Sequence, residues 1–366
     1  MKVPLVDLVT QYRTIKDEID EAVSAVLQSA AFVGGPFLER FEQAFARACG
    51  VEYCVGVGNG TDALSLTLRA LGLGPGDEVL LPVNTFIATA EAVSAVGAKP
   101  VFVDVEEESA CLDVSQAAHT LTPATRAIIP VHLYGRPAAM DQVLELAQEH
   151  GLLVVEDAAQ AHLAKFQDRL VGTFGRAACF SFYPGKNLGA YGDGGAVVTG
   201  DKELAERIRK LANHGRSSKY QHELEGFNSR LDGLQAAILE VKLRHLPQWT
   251  EARRRVAAWY RELLHPDRLW LPPDPKDALH VYHIFAIRTP QREQLLKALQ
   301  QKDIASGVHY PTPLHLLRAY RHLGHRPGDF PVAERLAGEI LSLPLYPEMT
   351  REQVEMVAEE VNRFLA

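Results

Sequence analysis

The sequence predicts an α/β protein: a mostly parallel sheet covered on both faces, followed by a smaller α+β unit. Three observations predict it. Short, continuous apolar runs of β-type residues recur through the first half of the chain, helical patterns separate them, and Gly/Pro/Asp-rich joints such as GLGPGDE and AVGAKP punctuate the units. A strand that is apolar along its whole length is buried on both faces, and strands separated by helices pair in parallel.

The runs, in order, are YCVGV (Tyr53–Val57), EVLLP (Glu78–Pro82), PVFVDV (Pro100–Val105), RAIIPVH (Arg126–His132), LLVVED (Leu152–Asp157), ACFSF ending at Phe182, and GAVVT (Gly195–Thr199). Between them lie TDALSLTLRALGL and AAMDQVLELAQEHG, with apolar residues at helical spacing. Beyond about Leu231 the texture changes. LDGLQAAILEVKLRHL and EARRRVAAWYRELL read as long amphipathic helices. The proline-rich WLPPDPKD follows, then HVYHIFAIRT as a strand, QREQLLKALQQK as a helix, and TREQVEMVAEEVNRFLA as a capped final helix. The expected division is a large domain over 1–245 and a small domain over 246–366, with a helix bridging the two.

Composition limits the partners. With 366 residues, 47% of them hydrophobic, the chain can bury two packed units. A formal net charge of -8 and a pI near 6.0 leave no sequence-wide basic footprint for nucleic acid. An anionic small molecule would need a local cluster of cations or backbone N–H groups. Cys49, Cys54, Cys111 and Cys179 form no CxxC pair and no His-coupled metal spacing, so they read as buried thiols in a reducing compartment, with no metal site. No apolar signal core precedes the first charges, and no apolar run reaches the roughly 20 residues of a membrane span. A soluble, cytoplasmic protein is expected.

One lysine stands out. In SFYPGKNLGAYGDGG (Ser181–Gly195), Lys186 is the only basic residue, set among aromatics and glycines. Such a setting does not read as a solvated face. Desolvation lowers a lysine's pKa, and the neutral amine is then a nucleophile able to form a Schiff base and later to move protons. Alone, that fits an aldolase as well as a pyridoxal phosphate enzyme. In VVEDAAQAH (Val154–His162), Asp157 ends a strand, where ligands gather in open α/β sheets. A carboxylate there can keep a pyridinium nitrogen protonated, or it can cap the next helix. Gln160 can donate to a ring oxygen. In VGNGTDAL, a Gly-rich turn opens a helix, a setting suited to phosphate and equally to a plain strand-to-helix turn. Ser181 adds a hydroxyl. In LPVNTFIATAEA, Phe86 can lie against a planar ring or belong to the core.

Together, NGTDAL, PVNTF, VEDAAQAH, FSFYPGKNLGAYGDGGAVVT and GFNSRLDGLQAAIL resemble the DegT/DnrJ/EryC1/StrS family of fold-type I (aspartate aminotransferase-like), pyridoxal-phosphate-dependent nucleotide-sugar aminotransferases. The resemblance runs the length of the chain and is densest over Val154–Leu239. It implies that Lys186 carries the cofactor as a Schiff base, Asp157 pairs with the pyridine nitrogen, Gln160 approaches the ring oxygen and Phe86 stacks on the ring. Gly60, Thr61, Asp62 and Ser181 would hold the phosphate. Asn228, in GFNSRLD, would reach the partner's phosphate across a homodimer interface. The implied reaction moves an amino group from L-glutamate to a keto sugar.

The motif YPGKNLGAYGDGG, with Tyr183 and Tyr191, is similar to the branch that aminates C3 of nucleotide-linked 3-keto sugars, such as dTDP-deoxysugars. Arg216, Lys219, Tyr220 and His222 in NHGRSSKYQHELEGFN can form a local site for a nucleotide diphosphate or belong to a solvated interface loop. The Pro-bracketed loop of GVHYPTPLHLLRAY, with His309, Tyr310 and His315, can face the sugar, or its histidines can serve packing or solvation. The family usually has Gly-Ala after His162. Here Leu163-Ala164 stands there, and Leu163 is expected to narrow the sugar pocket. Alternatives are a 4-keto-sugar or 3-keto-glucuronate-type aminotransferase and, from another class, a non-catalytic regulator on the same scaffold, which would be expected to have lost Lys186, Asp157 or Gln160. The dehydrating branch replaces the lysine with histidine, and Lys186 argues against it. A DNA-binding role would need an appended winged or helix-turn-helix unit, for which the chain's length leaves no room.

Overall fold

The seven apolar runs form one sheet. In the computed structural model, which describes residues 2–366, the strands are β1 (Tyr53–Val57), β2 (Glu78–Pro82), β3 (Lys99–Val103), β4 (Thr125–Ile128), β5 (Leu153–Asp157), β6 (Ala177–Ser181) and β7 (Gly195–Thr199). Their order across the sheet is β1-β7-β6-β5-β4-β2-β3. The pairs β2/β3, β2/β4, β4/β5 and β5/β6 are parallel. β7 lies antiparallel between β6 and β1. All strands but β7 therefore point the same way, and their carboxyl ends share one edge. That edge carries Gly58–Gly60, Asn84–Phe86, His132–Tyr134, Asp157–Gln160 and the Lys186 loop.

Two strands stop earlier than the apolar pattern suggests. Pro130 has no N–H for the ladder, so RAIIPVH pairs fully only over Thr125–Ile128, and Val131 makes an isolated bridge to Asp157. PVFVDV ends at Val103 because the Asp104 carboxylate turns aside to accept from the backbone N–H groups of Val332 and Ala333 at the start of the helix Pro331–Glu339.

The two amphipathic patterns after Leu231 join into one helix, Gly233–Leu263, with Pro247 inside it. Its buried residues belong in turn to the cluster behind the sheet (Ala236, Leu239, Leu243), to a cluster with the N-terminal helices (Ile238, Val241, Trp249), and to a C-terminal cluster (Val256, Ala257, Tyr260). The C-terminal part pairs β8 (Phe285–Arg288) with β9 (Ile340–Leu343) and packs the helices Arg292–Gln301 and Arg351–Leu365 around them. The last helix has the capping box that its sequence signals, with Thr350 and Gln353 bonding reciprocally. Only the second half of HVYHIFAIRT is a strand. The first half bonds to a bend instead: the Val281 N–H donates to the Gly135 carbonyl and the His283 N–H to that of Tyr134.

We propose that the domains divide inside the long helix, near residue 246. Packing crosses that line in both directions. Val3 packs in the C-terminal cluster, and Leu314, Tyr320, Phe330 and Leu336 pack back onto the cluster of the main sheet.

One buried carboxylate fastens β5 from behind. Glu156, fully buried, accepts from the backbone N–H groups of Gly172 (2.8 Å), Phe174 (2.8 Å) and Gly175 (2.9 Å), and its Oε2 lies 3.1 Å from His132 Nε2. His132 Nδ1 accepts from the Ala138 N–H, so the ring proton sits on Nε2 and donates to Glu156. A glutamine at this position would turn an N–H toward another donor. Glu156→Gln should therefore lower the unfolding free energy by about 2–5 kcal/mol, read by urea denaturation. A change under about 0.5 kcal/mol would contradict the pin.

Candidate active site

Lys186 sits in a loop fastened at several points. Its own N–H donates to the Tyr183 carbonyl, and the Ala190 N–H donates to Phe182, closing the loop's ends. Gly189 is forced by space: a Cβ there would lie 2.2 Å from the Pro184 carbonyl oxygen. The Asn187 amide, 2% exposed, donates to the Val281 carbonyl, and its oxygen faces His283 Nδ1 at 3.3 Å. From the long helix, Lys242 donates to the Gly189 carbonyl, and the Tyr191 N–H donates to Gln235. With the loop held this way, the Lys186 ammonium has no hydrogen-bond partner among the described residues. Part of its surface reaches solvent, but its dense surroundings lower its pKa to about 8, against the opposing pull of Asp157.

Asp157 is 6% exposed. Its Oδ2 accepts from the Thr89 hydroxyl at 2.8 Å and its Oδ1 from the Ala159 N–H at 3.2 Å. Burial raises its pKa, while those two donors and the nearby Lys186 and His132 pull it down. The sheet thus presents a carboxylate that lacks a close cation at the edge where the lysine stands. Gln160, also buried, has its orientation fixed: its Oε1 accepts from the Tyr134 N–H at 2.6 Å, so its Nε2 carries the free donors, one directed to the Tyr310 hydroxyl at 3.2 Å. Phe86 is 54% exposed, 5.8 Å from the Tyr310 ring.

The Gly-rich turn behaves as a helix start. The helix Gly60–Ala70 is capped by Asn59, whose side chain accepts from the Asp62 N–H at 2.8 Å. Gly60 lies against Ser181, where a Cβ would come within 2.7 Å of Ser181 Cβ. Among the described residues, the Gly60 and Thr61 N–H groups have no partner. Asp62 differs from expectation. Its N–H is spent on Asn59, and its carboxylate accepts from Asn59 Nδ2 (3.0 Å) and the Ser229 hydroxyl (2.7 Å), so it builds the turn. Asn228, beside Ser229, is exposed.

A pyridoxal phosphate fits this donor set. A buried acceptor matches the ring nitrogen, an oriented amide N–H the ring oxygen, an unpaired amine the aldehyde, and helix N–H groups with a hydroxyl the phosphate.

The residues expected around the substrate divide. His309 and Tyr310 join the cleft. His309 Nδ1 lies 2.8 Å from the Ser342 hydroxyl, its pKa lowered by burial and by Lys186, and burial raises Tyr310 to about 12. His315 does not join it. It is 2% exposed, its Nε2 lies 3.0 Å from Glu334, and its ring packs on Phe330. Tyr183 is 61% exposed beside the loop, whereas the Tyr191 ring turns to Tyr12 and Lys242. Arg216, Lys219, Tyr220 and His222 stand on an exposed hairpin, Arg216–Ser218 with Gln221–His222. Leu163 does not narrow the cleft. It packs on the cluster behind the sheet, and its φ of 61° shows why a glycine suits that position.

Thr89, Glu156, Tyr134 and Asn187 went unnoticed in the sequence. Each acts through hydrogen bonds that no periodicity signals. The one available hint was polarity inside an otherwise apolar run, at Glu156. Among the described residues there is no grouping of His, Cys, Asp and Glu fit to hold a metal ion, and no helix is long and apolar enough to cross a membrane.

Cofactor-free protein mixed with pyridoxal phosphate should develop its lysine-linked absorbance band faster as pH rises, with a midpoint near 8. A midpoint near the ordinary lysine value of about 10.4 would contradict the lowered pKa of Lys186.

Comparison with known proteins agrees with this geometry. The chain is 48% identical over 364 residues to the dTDP-3-amino-3,4,6-trideoxy-alpha-D-glucose transaminase of Streptomyces venezuelae, covering 99% of this chain and 96% of that protein. It is 45% identical to a pleiotropic regulatory protein of Geobacillus stearothermophilus, over 100% of this chain and 99% of the relative. Among solved structures, S. venezuelae DesV in complex with a ketimine intermediate superposes with a TM-score of 0.97 at 48% identity, covering 100% of this chain and 98% of that one. Bacillus subtilis ntda with bound cofactor PMP gives 0.88 at 30% identity, over 98% and 83%. The fold is that of the pyridoxal phosphate aminotransferases. With its family profile matching residues 13–362, the chain belongs to the DegT/DnrJ/EryC1/StrS aminotransferase family.

Proposed function

We propose that the protein moves an amino group from L-glutamate to C3 of a nucleotide-linked 3-keto hexose, with pyridoxal phosphate as cofactor and two shared active sites in a homodimer. The observation that carries this reading is the unpaired Lys186 amine over the buried, unneutralised Asp157, at the carboxyl edge of a parallel sheet. The similarity to a 3-amino-sugar transaminase supports C3 as the position. One relative bears a regulator's name, yet Lys186, Asp157 and Gln160 all stand in place here, which favours chemistry over a purely regulatory role.

When bound, the cofactor supplies an electron sink that acidifies the carbon bearing the amino group. The chain supplies position and protons. Asp157, steadied by Thr89 and the Ala159 N–H, would hold a proton on the ring nitrogen by charge. Gln160 Nε2 would donate to the ring oxygen, and Phe86 would lie against the ring. The Gly60 and Thr61 N–H groups and the Ser181 hydroxyl would hold the phosphate. Lys186 Nζ, low in pKa, takes the proton from the donor's α-carbon and returns it on the other side of the transfer. His309 and Tyr310 face the sugar, and the exposed hairpin with Arg216, Lys219, Tyr220 and His222 meets the nucleotide diphosphate. Phe32, Val33 and Phe227, all exposed, support a face covered by a second copy, to which the exposed Asn228 would lend a phosphate donor.

The reading is tested by incubating 3-keto and 4-keto nucleotide sugars with L-glutamate and locating the new amine by NMR. An amine on C3 supports it, and an amine on C4 alone overturns the sugar assignment. Lys186→Ala should lower turnover by roughly 10²–10⁴-fold, with the dimer retained by size-exclusion chromatography. Parent-like turnover would refute the lysine assignment. Asn228→Ala should release cofactor faster on dialysis, and unchanged retention would count against a shared phosphate site.

A further inference from the structure

Beyond the residues already placed, we infer that Tyr134 is a positioning residue that sets the sugar side of the cleft through its hydroxyl. The inference rests on the proposed function. Tyr134 follows β4 at the carboxyl edge of the sheet and is 7% exposed. Its backbone lies at φ 60°, ψ 5°, in the left-handed region that a residue with a Cβ rarely adopts. Gly135 follows at φ 92°, where a Cβ would lie 3.1 Å from the Gln160 carbonyl oxygen and 3.0 Å from the His283 nitrogen. So improbable a bend in a tyrosine persists only where its surroundings hold it.

Those surroundings reach the cleft from three directions. The Tyr134 N–H donates to Gln160 Oε1 at 2.6 Å, which leaves Gln160 Nε2 turned toward the cleft. Its carbonyl accepts from the N–H groups of His283 (2.9 Å) and Ile284 (3.3 Å). That strand entry also accepts the Asn187 amide, one residue from Lys186. Its hydroxyl donates to the His309 carbonyl, so it fixes the peptide joining His309 to Tyr310.

These roles fall on different atoms. The main chain serves the cofactor side, through Gln160 and the segment that anchors the Lys186 loop. The phenol oxygen bonds the His309 carbonyl on the sugar side, a segment that Gln160 at Tyr310 and Ser342 at His309 also touch. Removing the hydroxyl should therefore separate the two halves of the reaction, whereas a general loss of packing would weaken both.

The test is Tyr134→Phe, assayed beside the unmodified protein with cofactor bound. The glutamate half-reaction is followed by loss of the lysine-linked absorbance band, and the keto-sugar half-reaction by its return. The expected result is a glutamate half-reaction within about twofold of the parent and a keto-sugar KM raised roughly tenfold, the effect of one lost hydrogen bond. Equal losses in both halves, loss of the band itself, or an unchanged sugar KM would each overturn the inference. The unmodified protein separates the two readings. If it does not turn over the keto sugar, the functional reading fails and takes this inference with it. If it turns over normally while the variant shows no split, only the role of Tyr134 fails.

Discussion

A carboxylate buried at the end of a strand, without a cation in contact, is what the rest of the site is built around. Burial penalises the charge of Asp157, and two hydrogen bonds only partly offset that penalty. Such a group is out of balance until a cation is placed against it. The same dense surroundings that raise the acid lower the amine of Lys186, so one site perturbs both groups in opposite directions.

Rigidity around this pair comes from behind the sheet. Glu156, the neighbour of Asp157 on the opposite face of β5, ties four donors together with no part in the chemistry. The Lys186 loop is held by the sheet, by the long helix through Gln235 and Lys242, and by the strand entry at Val281. Elements distant in sequence thus hold the reacting groups to one geometry, as pre-organised catalysis demands.

Much of this was legible in the amino acids. The seven runs gave the seven strands because strands buried on both faces are apolar throughout, and Lys186, Asp157 and Gln160 stood out through their setting at strand ends. What stayed hidden shares one physical cause. The expectation for His315 failed because a histidine in a loop has no periodic signature showing whether it faces water or, as here, Phe330 and Glu334. Asp62 was expected to serve as a phosphate ligand, but its N–H goes to Asn59 and its Oδ2 accepts from Asn59 and Ser229, and Ser229 lies far along the chain. Leu163 read as a pocket residue until its left-handed backbone turned it to the core. The presence of the apolar strands follows from local pattern, whereas their ends and the hydrogen-bond partners across the fold do not.

The most direct test of the central claim is the protonation state of the cofactor's ring nitrogen, read by NMR after loading the protein with pyridoxal phosphate labelled with ¹⁵N in the ring. In the parent protein at neutral pH the nitrogen should report as protonated, and in Asp157→Asn as unprotonated, with the fold intact in both by circular dichroism. A nitrogen that is unprotonated in the parent, or equally protonated in both proteins, would contradict the role given to Asp157.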